Sequence, residues 1–296
     1  MIVRVYGGLG NQMFQYAAGK SISHHRSEKL MLDTSAFRTK NDSLNLTCRN
    51  LDILDFELDI IHENYNDIIR YKYPYGIISK LSSFFRKKIL NNYFYGWNPE
   101  LFNDKKVTYL DGYFQSEKYS QKIKSCIFKS YKLKRDLENQ ILFIKKIFLD
   151  NSFIGVHVRR GDYFENPKVK KWHGICNLEY YQKGINYLLH KYPHSRVAIF
   201  SDNIDWCKKY LKDVKDPFYV SDFAKNNGIF LKASQELILL SQCHNFVISN
   251  STFSWWAQYL CMHKGKKIVS PYVWNLNPRS KNLDLINDSW YKIKTF

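Results

Sequence analysis

The sequence predicts an α/β protein with parallel, doubly wound sheets, and three observations lead there. The chain opens on a strand, a glycine-rich turn, a helix and a second strand. Its second half alternates short apolar strands with helical stretches. Its 296 residues suit two domains of about 150 each. Hydrophobic residues at 45% and charged residues at 24% are ordinary globular usage, which excludes intrinsic disorder and collagen-like repeats. Aromatic residues at 17% are in surplus, and Tyr and Trp suit both buried cores and sugar-stacking surfaces.

Ile2 to Tyr6 alternates as a strand and breaks at Gly7-Gly8-Leu9-Gly10. From Asn11, the residues Met13, Phe14, Ala17, Ala18 and Ile22 form one side of a helix. Lys29 to Leu32 is a second strand ending at Asp33, which completes a β-turn-α-β unit. An amphipathic basic helix is expected over Ile77 to Leu90, and a strand over Val107 to Leu110. Leu137 to Leu149 reads as a helix, with a domain boundary at Asp150-Asn151-Ser152, giving domains 1–150 and 151–296. Beyond it, strands are expected at Phe153 to Val158, Arg196 to Phe200, Phe218 to Val220, Phe246 to Ser249 and Lys267 to Val269. Helices alternate with them at Leu178 to Tyr192, Asp205 to Leu211, Ala233 to Gln242 and Ser254 to Cys261.

Lys and Arg number 45 against 27 acids, a net charge of +18. That balance predicts anionic partners: nucleic acid, lipid headgroups or phosphorylated substrates. The densest clusters are Arg86-Lys87-Lys88, Lys168-Lys170-Lys171 and Lys264-Lys266-Lys267, without a long basic tail. The 6 cysteines show neither C-x-x-C nor zinc-finger spacing. The chain opens without a signal peptide's apolar segment and contains no stretch of about 18 apolar residues, so a reduced, cytoplasmic protein is expected.

In open parallel sheets, ligands bind beyond the carboxyl ends of the strands, and four such ends carry candidate chemistry. Gly8-Leu9-Gly10-Asn11-Gln12-Met13 resembles G-x-G-x-x-G, with Asp33 where a ribose-binding acid sits, but Met13 replaces the third glycine. Gly8 and Gly10 still allow a tight turn aimed at an anion, with Asn11 and Gln12 as amide donors; a purely structural turn is the other reading. At His157-Val158-Arg159-Arg160-Gly161-Asp162, alternation puts His157 and Arg159 on one face with Arg160 at the strand end. Two arginines there are costly unless they meet anions, whether phosphate or an internal carboxylate. Asp202 ends the next strand and offers a carboxylate to a ribose or a guanine edge, or caps the following helix. Asn250, Ser251, Thr252 and Ser254 cluster at a helix start, more polar groups than capping requires, while Trp255 and Trp256 read as helix packing. No D-x-D occurs, so the usual carboxylate bridge to a divalent metal and sugar-nucleotide is missing, and metal-independent transfer from a nucleotide-activated group follows.

These motifs, with Gln15-Tyr16-Ala17, Gly112-Tyr113-Phe114-Gln115 and Phe200-Ser201-Asp202, run in order from residue 7 to residue 257. Taken together, the sequence resembles the bacterial α-1,2-fucosyltransferases of glycosyltransferase family 11. The resemblance implies a GT-B fold: two Rossmann-like domains facing across a cleft, residues 1–150 on the acceptor side and 151–296 on the donor side. It implies transfer of fucose from GDP-fucose, with inversion, to the 2-hydroxyl of a terminal β-galactoside in a surface glycan. His157, Arg159, Arg160, Asp202, Asn250, Ser251, Thr252 and Ser254 would bind the donor, Arg159 at the β-phosphate. Gly8, Gly10, Asn11 and Gln12 would line the cleft against phosphate or acceptor. Asn203 departs from the family, where a second acid is common. Arg159 and the Ser251/Thr252 helix start would stabilise charge developing on GDP, and Asp162 would be the general base, with Glu165 and His173 in reserve. No cofactor and no metal are expected. The expected partners are GDP-fucose and a β-galactoside-terminated oligosaccharide, free or lipid-diphosphate-linked, rather than nucleic acid, and peripheral contact at the cytoplasmic membrane face would run through Ile77 to Leu90. A fucosyltransferase of other linkage, a basic nucleic-acid-binding protein and an NAD-dependent oxidoreductase are the competing readings.

Overall fold

A computed structural model describes residues 1–37, 49–61, 96–105, 107–161, 171, 173–276 and 284–295. The helix expected over Ile77 to Leu90 lies outside them, as do Asp162 and Glu165. Two compact units are present: Met1–Lys132 with Asn282–Leu285, and Leu133–Lys281 with Ile286–Phe296.

In the first unit, β1 (Ile2–Arg4) leads through the glycine turn into α1 (Leu9–His25), and β2 (Met31–Asp33) follows. The strand β3 (Tyr109–Leu110) completes a parallel sheet ordered β2-β1-β3. Gly7 has φ +77, a conformation that glycine adopts without strain, and this lets the chain reverse from β1 into α1. The helix begins at Leu9, two residues before its apolar periodicity. It is buried almost all round, because Met13, Phe14, Tyr16, Ala17 and Ile22 are enclosed together with Gln12 and Gln15. Two short helices, α2 (Glu117–Gln121) and α3 (Lys124–Ser130), had no clear signal in the sequence.

The second unit begins with α4 (Arg135–Asp150), whose Ile141, Ile144 and Phe148 face inward. Then come β4 (Phe153–Val158), α5 (Leu178–Lys191), β5 (Arg196–Ser201), α6 (Ile204–Tyr210) and β6 (Phe218–Tyr219). They are followed by α7 (Val220–Asn226), α8 (Ala233–Ser241), β7 (Asn245–Val247), α9 (Thr252–Leu260), β8 (Ile268–Pro271) and β9 (Tyr291–Ile293). Every pairing is parallel and the order is β6-β5-β4-β7-β8-β9, the doubly wound pattern the alternating elements predict.

Alternation along β4 sorts its side chains. Ile154, Val156 and Val158 join Tyr180, Tyr181, Ile185 and Leu188 of α5 in one core layer. Phe153 points the other way, its ring 4.7 Å from Phe148 of α4. Gly155 shares that second face, and a Cβ there would meet Leu240 Cδ1 at 2.6 Å and Cys243 Sγ at 2.8 Å. Only the missing side chain lets α8 lie directly on the strand. The same face continues to His157 and Arg159. Burial of each large apolar side chain in these layers contributes roughly 1.5–3 kcal/mol. Among the described residues, no helix is long and apolar enough to cross a membrane.

Candidate active site

The strand order reverses between β4 and β7, since the chain winds from β4 toward β6 on one side and from β7 toward β9 on the other. Crossovers leave such a point in opposite directions and open a crevice at the carboxyl ends, where α/β sheets bind ligands. His157 is the penultimate residue of β4 and Ser249 follows β7, and their Nδ1 and Oγ atoms are 2.7 Å apart across this point. The His157 ring stacks on Phe253 in the first turn of α9 at 5.1 Å. Burial, aided by the charge of Arg159, pushes the imidazole pKa down to about 3. His157 is therefore a neutral hydrogen-bonding group at physiological pH and not a proton acceptor.

One step beyond, a single carboxylate organises both arginines. Asp202 Oδ2 lies 2.8 Å from Arg159 Nη1, and its Oδ1 accepts the Arg160 backbone N–H at 2.8 Å. The Arg160 guanidinium sits 4.3 Å over the Trp206 ring of α6, a cation–π contact that orients it. Asp202 does not cap α6; Asn203 does, its Oδ1 accepting the Trp206 N–H at 3.0 Å. Asn203 thus has a folding task.

The polar cluster before α9 divides its labour. Ser251 caps the helix by accepting the Phe253 N–H. Ser254 is fully buried, and its hydroxyl donates to Ser249 O at 3.3 Å and Ser251 O at 3.1 Å. Asn250 turns inward as well: Nδ2 donates to His173 O at 2.8 Å and Oδ1 faces Cys176 Sγ at 3.6 Å. These three side chains build the turn that presents the α9 N-terminus, with Thr252 as its first residue and no acid in the first turn. Such a helix start attracts anions. Trp255 and Trp256 are buried, as helix packing requires.

Sequence reading overlooked Glu236. This residue lies on α8, and burial together with the negative charge of Asp202 pushes its pKa up to about 7. A lone acid just before the apolar run Leu237-Ile238-Leu239-Leu240 was the available signal. Ser249, the partner of His157, was also missed.

At the strand ends of the first unit, Gln12 is committed to the fold. Its Nε2 donates to Gly7 O and Asn50 O, each at 2.8 Å, and its Oε1 accepts the Ile53 N–H at 3.0 Å. Asn11 lies in the first turn of α1, and its Oδ1 accepts from Gln115 Nε2 at 2.9 Å. Gly8 is the α1 N-cap with open space around it, and Gly10 is buried. Asp33 is enclosed, accepting the Ser35 N–H at 2.9 Å and the Tyr109 hydroxyl. That engagement removes it from any ribose and leaves the dinucleotide reading without its acid.

Residues 1–294 match the family described as Glycosyl transferase family 11. An O-antigen biosynthesis glycosyltransferase WbnK of Escherichia coli is 29% identical, over 97% of this chain and 98% of its own. An alpha-1,2-colitosyltransferase of Escherichia coli is 28% identical, over 99% of both chains. Among solved structures, the fucosyltransferase NodZ from Bradyrhizobium covers 88% of this chain and 92% of its own, with a TM-score of 0.51 at 18% identity, a likeness of fold. The α/β architecture with parallel sheets and the match over nearly the whole length lead to one conclusion: the chain belongs to glycosyl transferase family 11.

Proposed function

We propose that this glycosyltransferase moves L-fucose from GDP-fucose to the 2-hydroxyl of a terminal β-galactoside, with inversion and without a metal ion, in the synthesis of an O-antigen-like surface glycan. The reading rests most on one observation: Asp202 holds Arg159 and the Arg160 backbone together at the strand ends, beside the α9 N-terminus. Arg159 and the first N–H groups of α9 would take the diphosphate, and their donors favour the charge that develops as the sugar–oxygen bond breaks. His157, neutral and fixed by Ser249, would direct a hydrogen bond to the nucleoside. Glu236 suits the paired N–H groups of guanine, which would stabilise its ionised form. Asp162 is proposed as the base that deprotonates the acceptor hydroxyl. The acceptor would meet the first unit near Gly8 and Asn11. The enzyme would work in the cytoplasm, in peripheral contact with the membrane face.

The alpha-1,2-colitosyltransferase relative supports a second reading, in which the donor is GDP-colitose. Colitose is fucose without its 3-hydroxyl, so a single pocket contact would separate the two. The test is GDP release from each donor, in EDTA, with and without a β-galactoside, followed by NMR of the product. Release from GDP-fucose that depends on the galactoside, with a 1,2 linkage, supports the first reading. Release from GDP-colitose alone supports the second, and release from neither overturns both.

A further inference from the structure

We propose that the amino-end rim of the second unit's sheet is a membrane-docking surface for anionic lipid headgroups, built from Leu142, Leu149 and Met262 with Lys146, Lys264 and Lys267. The inference rests on the reading above that the enzyme meets the membrane face, and it places that contact on residues other than Ile77 to Leu90. Leu149 lies in the last turn of α4, and Met262 lies in the connection from α9 to β8. The two line one groove together with Phe148, Leu260, His244 and His263. Both are apolar, yet Leu149 is 69% and Met262 78% exposed. Leu142, two turns before Leu149 on the same face of α4, is 51% exposed. Apolar side chains gathered in this way on a surface mark a contact.

Hydrogen bonds on both sides of Met262 hold it outward. Lys266 Nζ donates to Cys261 O at 3.1 Å and to Gln258 O, closing the carbonyl end of α9. The His263 N–H donates to Cys261 Sγ at 3.4 Å, and Gly265, at φ +80, turns the chain toward β8. Lys146 stands between Leu142 and Leu149 on their face of α4, while Lys264 and Lys267 follow Met262; all three are exposed. Asp150 sets one negative charge against them. Apolar tips among ammonium groups match a headgroup layer, where each lysine favours an anionic surface about fivefold. A second copy of the chain fits this face poorly. A two-fold contact would bring the lysines of both copies together, in a chain whose net charge is already +18. The surface also leaves the chemistry free, since it lies at the amino ends of β4, β7 and β8 and the candidate GDP site at the carboxyl ends.

Flotation of the full chain with lipid vesicles tests this. At low salt the protein should rise with phosphatidylcholine vesicles that contain phosphatidylglycerol and stay behind with phosphatidylcholine alone. Leu149→Ser combined with Met262→Ser leaves the charge unchanged and should weaken binding to the anionic vesicles at least ~10-fold. Lys264→Gln combined with Lys267→Gln should also weaken it at least ~10-fold. The same charge loss at Lys124 and Lys225, exposed on α3 and α7, should cost less than about threefold. Galactoside-dependent GDP release and the melting temperature should stay native in all three variants, so the surface and the enzymatic reading are tested separately. Native binding in the serine variant, or equal losses from the two lysine pairs, overturns the proposed surface. A native protein that rises with neither vesicle overturns membrane contact altogether. Concentration-dependent dimers abolished in the serine variant would assign the face to a second copy and overturn the proposal equally.

Discussion

A Cβ on Gly161 would stand 2.7 Å from Oδ2 of Asp202, the oxygen that binds Arg159. The absence of a side chain at 161 is therefore what allows the carboxylate to reach the arginine. Gly161→Ala should push Asp202 aside and break the pairing, weakening GDP at least ~10-fold, since a charged hydrogen bond is worth roughly 1.5–3 kcal/mol. The melting temperature should change little, because Gly161 is only partly buried. Calorimetric titration with GDP checks this, and native affinity in the alanine variant would count against the clamp.

Glu236 gives a pH dependence. Its pKa is raised to about 7 by burial and by Asp202, so the folded protein holds that proton more tightly than the unfolded chain. The charging cost is absent below the ordinary carboxylate range, grows as pH rises toward 7 and is complete above it. Glu236→Gln should raise stability at pH 8 by about 1–2 kcal/mol, a melting shift of a few degrees, with little gain at pH 4.5. The same variant should bind GDP more weakly, and native GDP affinity should itself fall as pH drops below 7. Melting curves at the two pH values and GDP titrations across pH 6–8 read both effects.

His157 gives the opposite sign. Its folded pKa is lowered to about 3, so its contribution to stability is full above the ordinary histidine value and is lost as pH falls toward 3. His157→Asn retains a hydrogen-bonding group toward Ser249 and cannot charge in that window. Its acid unfolding should be shallower by up to about 1.4 kcal/mol per pH unit, as followed by circular dichroism between pH 6.5 and 3.5. Superimposable acid limbs for the two proteins would contradict the burial of a neutral imidazole.

Much of this was legible in sequence wherever a strong local pattern existed. Phe153 to Val158 is apolar apart from His157 and is β4 at those bounds. Gly7 and the periodicity after it located the β1–α1 turn. The strand β9 was not legible: Tyr291-Lys292-Ile293 is three residues of edge strand, defined by its pairing with β8 rather than by its composition. α2 and α3 are short and held by tertiary contacts such as Tyr119. At the candidate site, residue types were legible and their tasks were not. Asn250, Ser254 and Gln12 look like ligand donors in one dimension, yet their polar atoms are committed to backbone groups, local ones for Ser254 and distant ones at His173 for Asn250 and Asn50 for Gln12. Glu236 escaped notice because what marks it is the proximity of Asp202, 34 positions earlier by number. The leucine run around it reads as core.

The central claim is that the strand ends of the second unit form the GDP site, with Arg159 its main phosphate-binding residue. The most direct measurement is calorimetric titration of GDP, in EDTA, into the native protein, Arg159→Ala and Asp202→Asn. Binding to the native protein, weakened about 100-fold in Arg159→Ala and at least ~10-fold in Asp202→Asn with the fold intact, is the predicted result. Undiminished GDP binding in Arg159→Ala would contradict it.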